Sequence, residues 1–292
     1  MSNYALLAFS MAAFLVGSIT KKIYSGKTSG NLRLLYVFNL VCSLLPCLIL
    51  LAWGGIGTVS LFTILLACVF GLVIVAQTIF TLKALECGPM SYTNVICSFS
   101  TIITALSGAM FFGEALTVTH IIGIALMVVS FLLAVEKQSG QKATSLRWLL
   151  YCVIAFLCTG GIGLMQKVHQ SSVFKEELNA FLVIAFGVSA LATLPLLLAA
   201  PKPATKTDSK GTVVLIICLV LSGISIALNN KWNLYLSGAM DSAVFFPIVN
   251  GGGMALNALA AVIFFREKPT IRQWLGIALG IASVLFLCNP FA

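Results

Sequence analysis

The chain has 292 residues, of which 60% are hydrophobic and 9% charged, and its mean hydropathy is +1.08. This excludes a soluble globular domain and a disordered chain, and defines an integral membrane protein. A net charge of +9, from 17 Lys and Arg against 8 Asp and Glu, is spread over at least five loops with no basic domain to hold a duplex, which excludes a nucleic-acid-binding role.

From the N-terminus onward, apolar stretches near or above 20 residues recur, and a helix needs about 20 such residues to cross roughly 30 Å of hydrocarbon. Ten spans are predicted, over 4–22, 32–53, 60–85, 91–112, 117–135, 146–166, 178–200, 212–236, 242–265 and 270–288. Continuous runs of this length imply helices, because a barrel strand would show about ten residues of alternating character. The first span lacks a positive n-region and a clear small-residue cleavage site, so it is expected to remain in the mature protein rather than act as a signal peptide. Polar stretches at Glu136–Ser145 and Pro201–Lys210 are too short to be soluble domains.

One passage occurs twice. Phe111-Phe112-Gly113-Glu114, Thr117 and Gly123-Ile124-Ala125-Leu126 return as Phe264-Phe265-Arg266-Glu267, Thr270 and Gly276-Ile277-Ala278-Leu279, each pair 153 positions apart. The chain therefore divides into a first five-helix repeat at 1–136, a linker at 137–145 and a second five-helix repeat at 146–292. Five is odd, so the second copy enters the membrane from the opposite side and the repeats are inverted. Inverted repeats let two near-equal halves rock about a central site, which is a plan of secondary transporters. The expected fold class is all-α, a polytopic membrane protein of ten transmembrane helices in two inverted repeats.

These residues resemble the EamA-type members of the drug/metabolite transporter superfamily over the whole chain. The specific element is the turn between fourth and fifth helices of each repeat, Gly113-Glu114-Ala115-Leu116-Thr117 and Arg266-Glu267-Lys268-Pro269-Thr270, before a Gly-containing helix. The resemblance implies export or exchange of small metabolites or drugs. Family members carry a proline in the fourth helix of the repeat, whereas Ser98-Phe99-Ser100-Thr101-Ile102 has none; Pro247 and Gly251-Gly252-Gly253 offer another route to a bend in the second repeat.

Of the 17 basic residues, 14 fall near the loops after odd-numbered spans, and only Lys167, Lys175 and Lys231 fall toward the other side. The positive-inside rule then puts the odd loops in the cytoplasm and both termini outside, against the family's arrangement of cytoplasmic termini. The nine cysteines show no paired metal spacing and are read as packed small apolar residues. Gly276 with Gly280, and the Gly160, Gly161, Gly163 cluster, suit close helix packing. His120 and His169 lie far apart with no paired Asp and no metal-binding signature, so neither an enzyme nor a metal or cofactor site is expected. The expected partners are the lipid bilayer of the plasma (inner) membrane and a small-molecule substrate, with the chain a monomer or homodimer.

A transport site must be built from polar groups that the membrane otherwise excludes. Span 3 carries Gln77, Thr78 and Thr81, and its counterpart, span 8, carries Asn229, Asn230, Lys231 and Asn233. Spacings of three and four put Gln77 with Thr81, and Asn229 with Asn233, on common faces. Span 4 shows Asn94, Ser98 and Thr101 on one stripe, and span 9 shows Asn250 and Asn257. This set is the expected substrate-binding lining, although such groups also serve simply to join helices. Lys231 lies about 29 Å along its span, at the far membrane edge, where snorkelling beside Trp232 competes with a cavity-facing role. Lys22 and Lys167 are assigned to snorkelling. No acidic residue falls mid-span, which favours a neutral, zwitterionic or anionic metabolite such as an amino acid over a lipophilic cation. Multidrug efflux is the runner-up.

Overall fold

The computed structural model describes residues 3–28, 31–87, 93, 96–97, 100–113, 117–134, 146–201, 209–265 and 270–288. All the regular elements among them are helical: α1 (Asn3–Thr28), α2 (Leu32–Gly54), α3 (Leu61–Cys87), α4 (Ser100–Phe111), α5 (Val118–Ala134), α6 (Leu146–Gln170), a 3₁₀ turn (Lys175–Glu177), α7 (Leu178–Ala199), α8 (Ser209–Ala239), α9 (Ser242–Pro247), a π-helical turn (Ile248–Gly252), α10 (Gly253–Phe265) and α11 (Ile271–Cys288). Six of them, α1, α2, α3, α6, α7 and α8, are long and apolar enough to cross a membrane.

The distribution of polarity is the reverse of that in a water-soluble protein. Leu44, Leu48 and Leu51 on α2, and Leu65, Val69 and Leu72 on α3, recur at helical spacing and are exposed. Ser10, Asn39, Ser43, Ser189, Thr193 and Ser222 are buried. An apolar outer surface of this extent faces lipid, since water would not tolerate it. The protein is membrane-embedded.

Inside the bundle, hydroxyls and amides join helices because nothing else in hydrocarbon can satisfy them. Ser43 and Ser189 hydroxyls bond at 2.7 Å between α2 and α7, and Asn39 Nδ2 donates to Thr193 Oγ1 at 3.2 Å one turn away. Thr20 on α1 meets Ser222 on α8 at 2.7 Å. Aromatic packing fills the remaining volume, with Phe70 against Phe181 at a centroid distance of 5.0 Å in a cluster that includes Leu50, Phe186 and Leu234.

The main helix pairings are α1 with α8, α3 with α6, α2 with α7, α3 with α7, α2 with α8, α4 with α9, and α5 with α11. Glycine permits close approach at two of these crossings. A Cβ on Gly71 of α3 would lie 2.4 Å from the Ala185 carbonyl oxygen of α7, and one on Gly223 of α8 would lie 2.6 Å from Leu45 of α2. The α5–α11 contact is held by two matching bonds: Ser130 Oγ donates to the Gly276 carbonyl, and Ser283 Oγ donates to the Gly123 carbonyl.

Two departures from the sequence expectations matter for the site. The first span ends not near 22 but at Thr28. Tyr24 is buried, packs on Phe38 at 4.9 Å and donates its hydroxyl to the Leu34 carbonyl, which secures the extra turns. The ninth span, read as one segment with a bend offered at Pro247 and Gly251–Gly253, is interrupted after Pro247 by the π-helical turn Ile248–Gly252. Gly252 at its end and Gly253 at the start of α10 admit α1, since Cβ atoms there would meet Met11 and Phe14 within 3 Å.

Candidate functional site

A cavity of about 300 Å³ lies between α1, α2, α3 and α8, with α6, α7, α10 and Cys97 completing its wall. On α1 it is lined by Ala13, Phe14, Gly17, Ser18, Lys21 and Lys22, a single stripe at spacings of one and four. Opposite stand Phe38, Asn39, Cys42 and Ser43 of α2, Ile74, Gln77, Thr78 and Thr81 of α3, and Ser222, Ser225, Asn229 and Asn230 of α8. Thr159 of α6 and Asn257 of α10 close the remaining sides.

Six of the twelve residues nominated from sequence therefore share this wall: Gln77, Thr78, Thr81, Asn229, Asn230 and Asn257. Gln77 Nε2 donates to Thr81 Oγ1 at 3.3 Å, the i to i+4 contact their spacing anticipates. Asn230 Nδ2 donates to the Ile226 carbonyl at 3.0 Å. Asn229 Nδ2 donates to the carbonyl and hydroxyl oxygens of Ser10 at 3.0 and 3.1 Å, so it fastens α8 to α1 as well as lining the cavity.

The others are placed differently. Asn233 completes a cluster away from the cavity wall, donating to Asn229 Oδ1 at 3.2 Å and accepting from the Ser10 hydroxyl. Lys231 is also off the wall, with its ammonium 3.8 Å over the Trp53 ring at the end of α2. Asn94 and Ser98 lie outside the described residues. The backbone at Thr101 is α-helical and at Asn250 π-helical, but their side chains lie outside what is described.

The lysines of α1 correct the sequence reading. The sequence reading places Lys21 and Lys22 at the end of the first span, near its loop, and assigns Lys22 to snorkelling, yet both line the cavity and α1 continues beyond them to Thr28. Lys22 holds its ammonium 4.0 Å over the Phe265 ring. The stripe itself is the available signal: Ala13, Gly17 and Lys21 share one helix face, and all three line the cavity. Lys167 is corrected too, being buried rather than snorkelling, with its ammonium donating to the Met240 carbonyl at 3.3 Å.

The cavity lies toward the helix ends joined by the 28–32 connection. The opposite ends are closed by short-range bonds. Ser60 donates its N–H and hydroxyl to the Glu177 carboxylate at 3.1 and 2.8 Å, and Asn179 Nδ2 donates to the carbonyls of Leu50 and Gly55 at 2.9 and 2.7 Å. Gly55 sits at φ 63°, the left-handed conformation that stops α2 and presents that carbonyl. Thr63 meets His169 Nε2 at 3.3 Å, and Phe62 stacks on Phe174 at 5.7 Å.

No family model matches the chain. It is 23% identical over 224 residues to an uncharacterized protein of Haemophilus influenzae, covering 74% of this chain and 72% of that one. It is 32% identical over 74 residues to the uncharacterized protein y4nH of Sinorhizobium fredii, covering 24% of this chain and 57% of the relative. A solved crystal structure of a protein superimposes with a TM-score of 0.72 at 15% identity, covering 98% of this chain and 96% of that one. That likeness establishes a fold shared across the chain's full length.

Proposed function

We propose that the protein is a secondary transporter of the EamA type, carrying a small polar metabolite through the plasma (inner) membrane by alternating access. The observation that carries the reading is the polar cavity itself. Amides and hydroxyls are costly in hydrocarbon, and here Gln77, Thr78, Asn229, Asn230 and Asn257 from both halves of the chain line one solvent-sized space instead of all pairing with each other. A cavity of about 300 Å³ suits a ligand the size of an amino acid.

Ten spans in two inverted repeats remain part of this reading, and two observations support them. Exchanging the halves turns α1 against α8 into α6 against α3, and α3 against α7 into α8 against α2, all of which are observed pairings. The α5–α11 bonds also exchange with each other, since their serines and their glycines each lie 153 positions apart. Such symmetry belongs to machines whose two access states are near mirror versions of one another. An enzyme needs no such duplication. The positive-inside rule puts the cavity side in the cytoplasm, which suits export or exchange.

The test is efflux from proteoliposomes loaded with a mixture of small metabolites and followed by mass spectrometry. The reading expects one chemical class to leave faster than from protein-free vesicles, and expects the difference to shrink in Gln77→Leu. Equal release of every compound from both kinds of vesicle refutes it.

A further inference from the structure

We propose that Lys21 is the anion-binding group of the cavity, so that the substrate carries a carboxylate or phosphate that docks on its ammonium beside Cys97. The proposal rests on the reading of the cavity as a transport site and narrows its substrate class.

The first argument is charge. Among the described residues, no carboxylate lines the cavity, whereas Lys21 does. An ammonium withdrawn from bulk water needs a compensating partner, and a ligand anion supplies one. The second argument is contrast with the other lysines of the bundle. Lys22 lies over Phe265, Lys231 over Trp53, Lys83 between the Phe80 and Tyr151 rings, and Lys167 on the Met240 carbonyl. Lys21 instead shares its stretch of wall with the thiols of Cys42 and Cys97, within electrostatic reach of both. The third argument is placement. Lys21 lies on the same α1 stripe as Gly17 and Ser18, and all three line the cavity of about 300 Å³, which has room for a small oxyanion. The amides of Gln77 and Asn230 then face the neutral remainder of the ligand.

Cys97 gives a probe inside the site. Protein in lipid nanodiscs is treated with the anionic sulfonatoethyl or the cationic trimethylammonioethyl methanethiosulfonate, and modification of the Cys97 peptide is timed by mass spectrometry. Both reagents attack the same thiolate, so the ratio of their rates, normalised to a free thiol in solution, cancels thiol reactivity and reports local potential alone. The native protein should favour the anionic reagent by at least about fivefold, the effect of one unit charge a few ångströms away in an aqueous cavity. Lys21→Gln should remove most of the preference, with Lys22 supplying what remains, and Lys21→Arg should retain it. A native ratio near that of free thiol, which needs no variant, overturns the proposal, as does an unchanged ratio in Lys21→Gln. Failure of both reagents to reach Cys97 in the native protein is a different result: it removes the water-filled cavity and the transporter reading with it.

Discussion

Replacing Gly71 by alanine tests the tightest glycine contact among the described residues. The added methyl would sit 2.4 Å from the Ala185 carbonyl oxygen and 3.1 Å from Val188 Cβ. Ordinary contact needs about 3.4 Å, so α3 and α7 must separate by roughly 1 Å or tilt, and the obstacle is backbone rather than a side chain that can turn away. Overpacking of this kind costs about 1–3 kcal/mol, which outweighs the gain of up to about 1 kcal/mol from placing alanine instead of glycine in a helix. Gly161→Ala provides the matched control, because a methyl there meets nothing within 4 Å and only the propensity gain remains. Gly223→Ala falls between, since its obstacle is the Leu45 side chain. Thermal unfolding in one detergent, followed by intrinsic fluorescence, should rank the variants with Gly71→Ala lowest, on the order of 5 °C below the native protein, and Gly161→Ala at or above it. A melting point for Gly71→Ala equal to that of Gly161→Ala would refute the close-approach argument.

The matching α5–α11 bonds predict that Ser130→Ala and Ser283→Ala destabilise alike, by about 0.6 kcal/mol each as is average for membrane hydrogen bonds; thermal shifts that differ severalfold would contradict the symmetry. At the closed end, Glu177→Gln should raise hydrogen exchange at the Ser60 amide while Glu176→Gln leaves it unchanged, because only Glu177 accepts from that N–H. For orientation, Thr58→Cys should be labelled by an impermeant maleimide on intact cells and Lys27→Cys only after permeabilisation, and the opposite pattern would overturn the assignment of odd loops to the cytoplasm. Ser10→Ala should weaken the α1–α8 contact by about 1 kcal/mol, read as a lower melting point, since its hydroxyl serves both Asn229 and Asn233.

Hydrophobic length alone located the long helices, because hydrocarbon thickness is a hard constraint and α2, α3, α7 and α8 match the expected spans to within a few residues. Helix ends were harder to read. The last turns of α1 depend on Tyr24 reaching a carbonyl on α2, a tertiary contact that no local pattern encodes, and an end expected at 22 put Lys21 and Lys22 at the edge of the span rather than on the cavity wall. Face sharing was legible for Gln77 with Thr81, which meet within one helix. It was legible too for Asn229 with Asn233, which bond to each other, but the shared face also meets Ser10, and Asn229 lines the cavity whereas Asn233 does not. Polarity in a span thus announced that a group needs a partner, while which helix provides it waited on the packing.

The closed end opposite the cavity is fastened by hydroxyls, amides, backbone carbonyls and a single carboxylate, and every one of those groups can exchange its partner for water. Parting them on hydration swaps bonds and leaves none unmade, so each neutral contact resists opening by only about 0.5–1.5 kcal/mol net. In the proposed transporter, a closure built this way is a latch with a shallow catch: a ligand bound more tightly by one shape than the other, by as little as a few kcal/mol, would be enough to decide which face is shut.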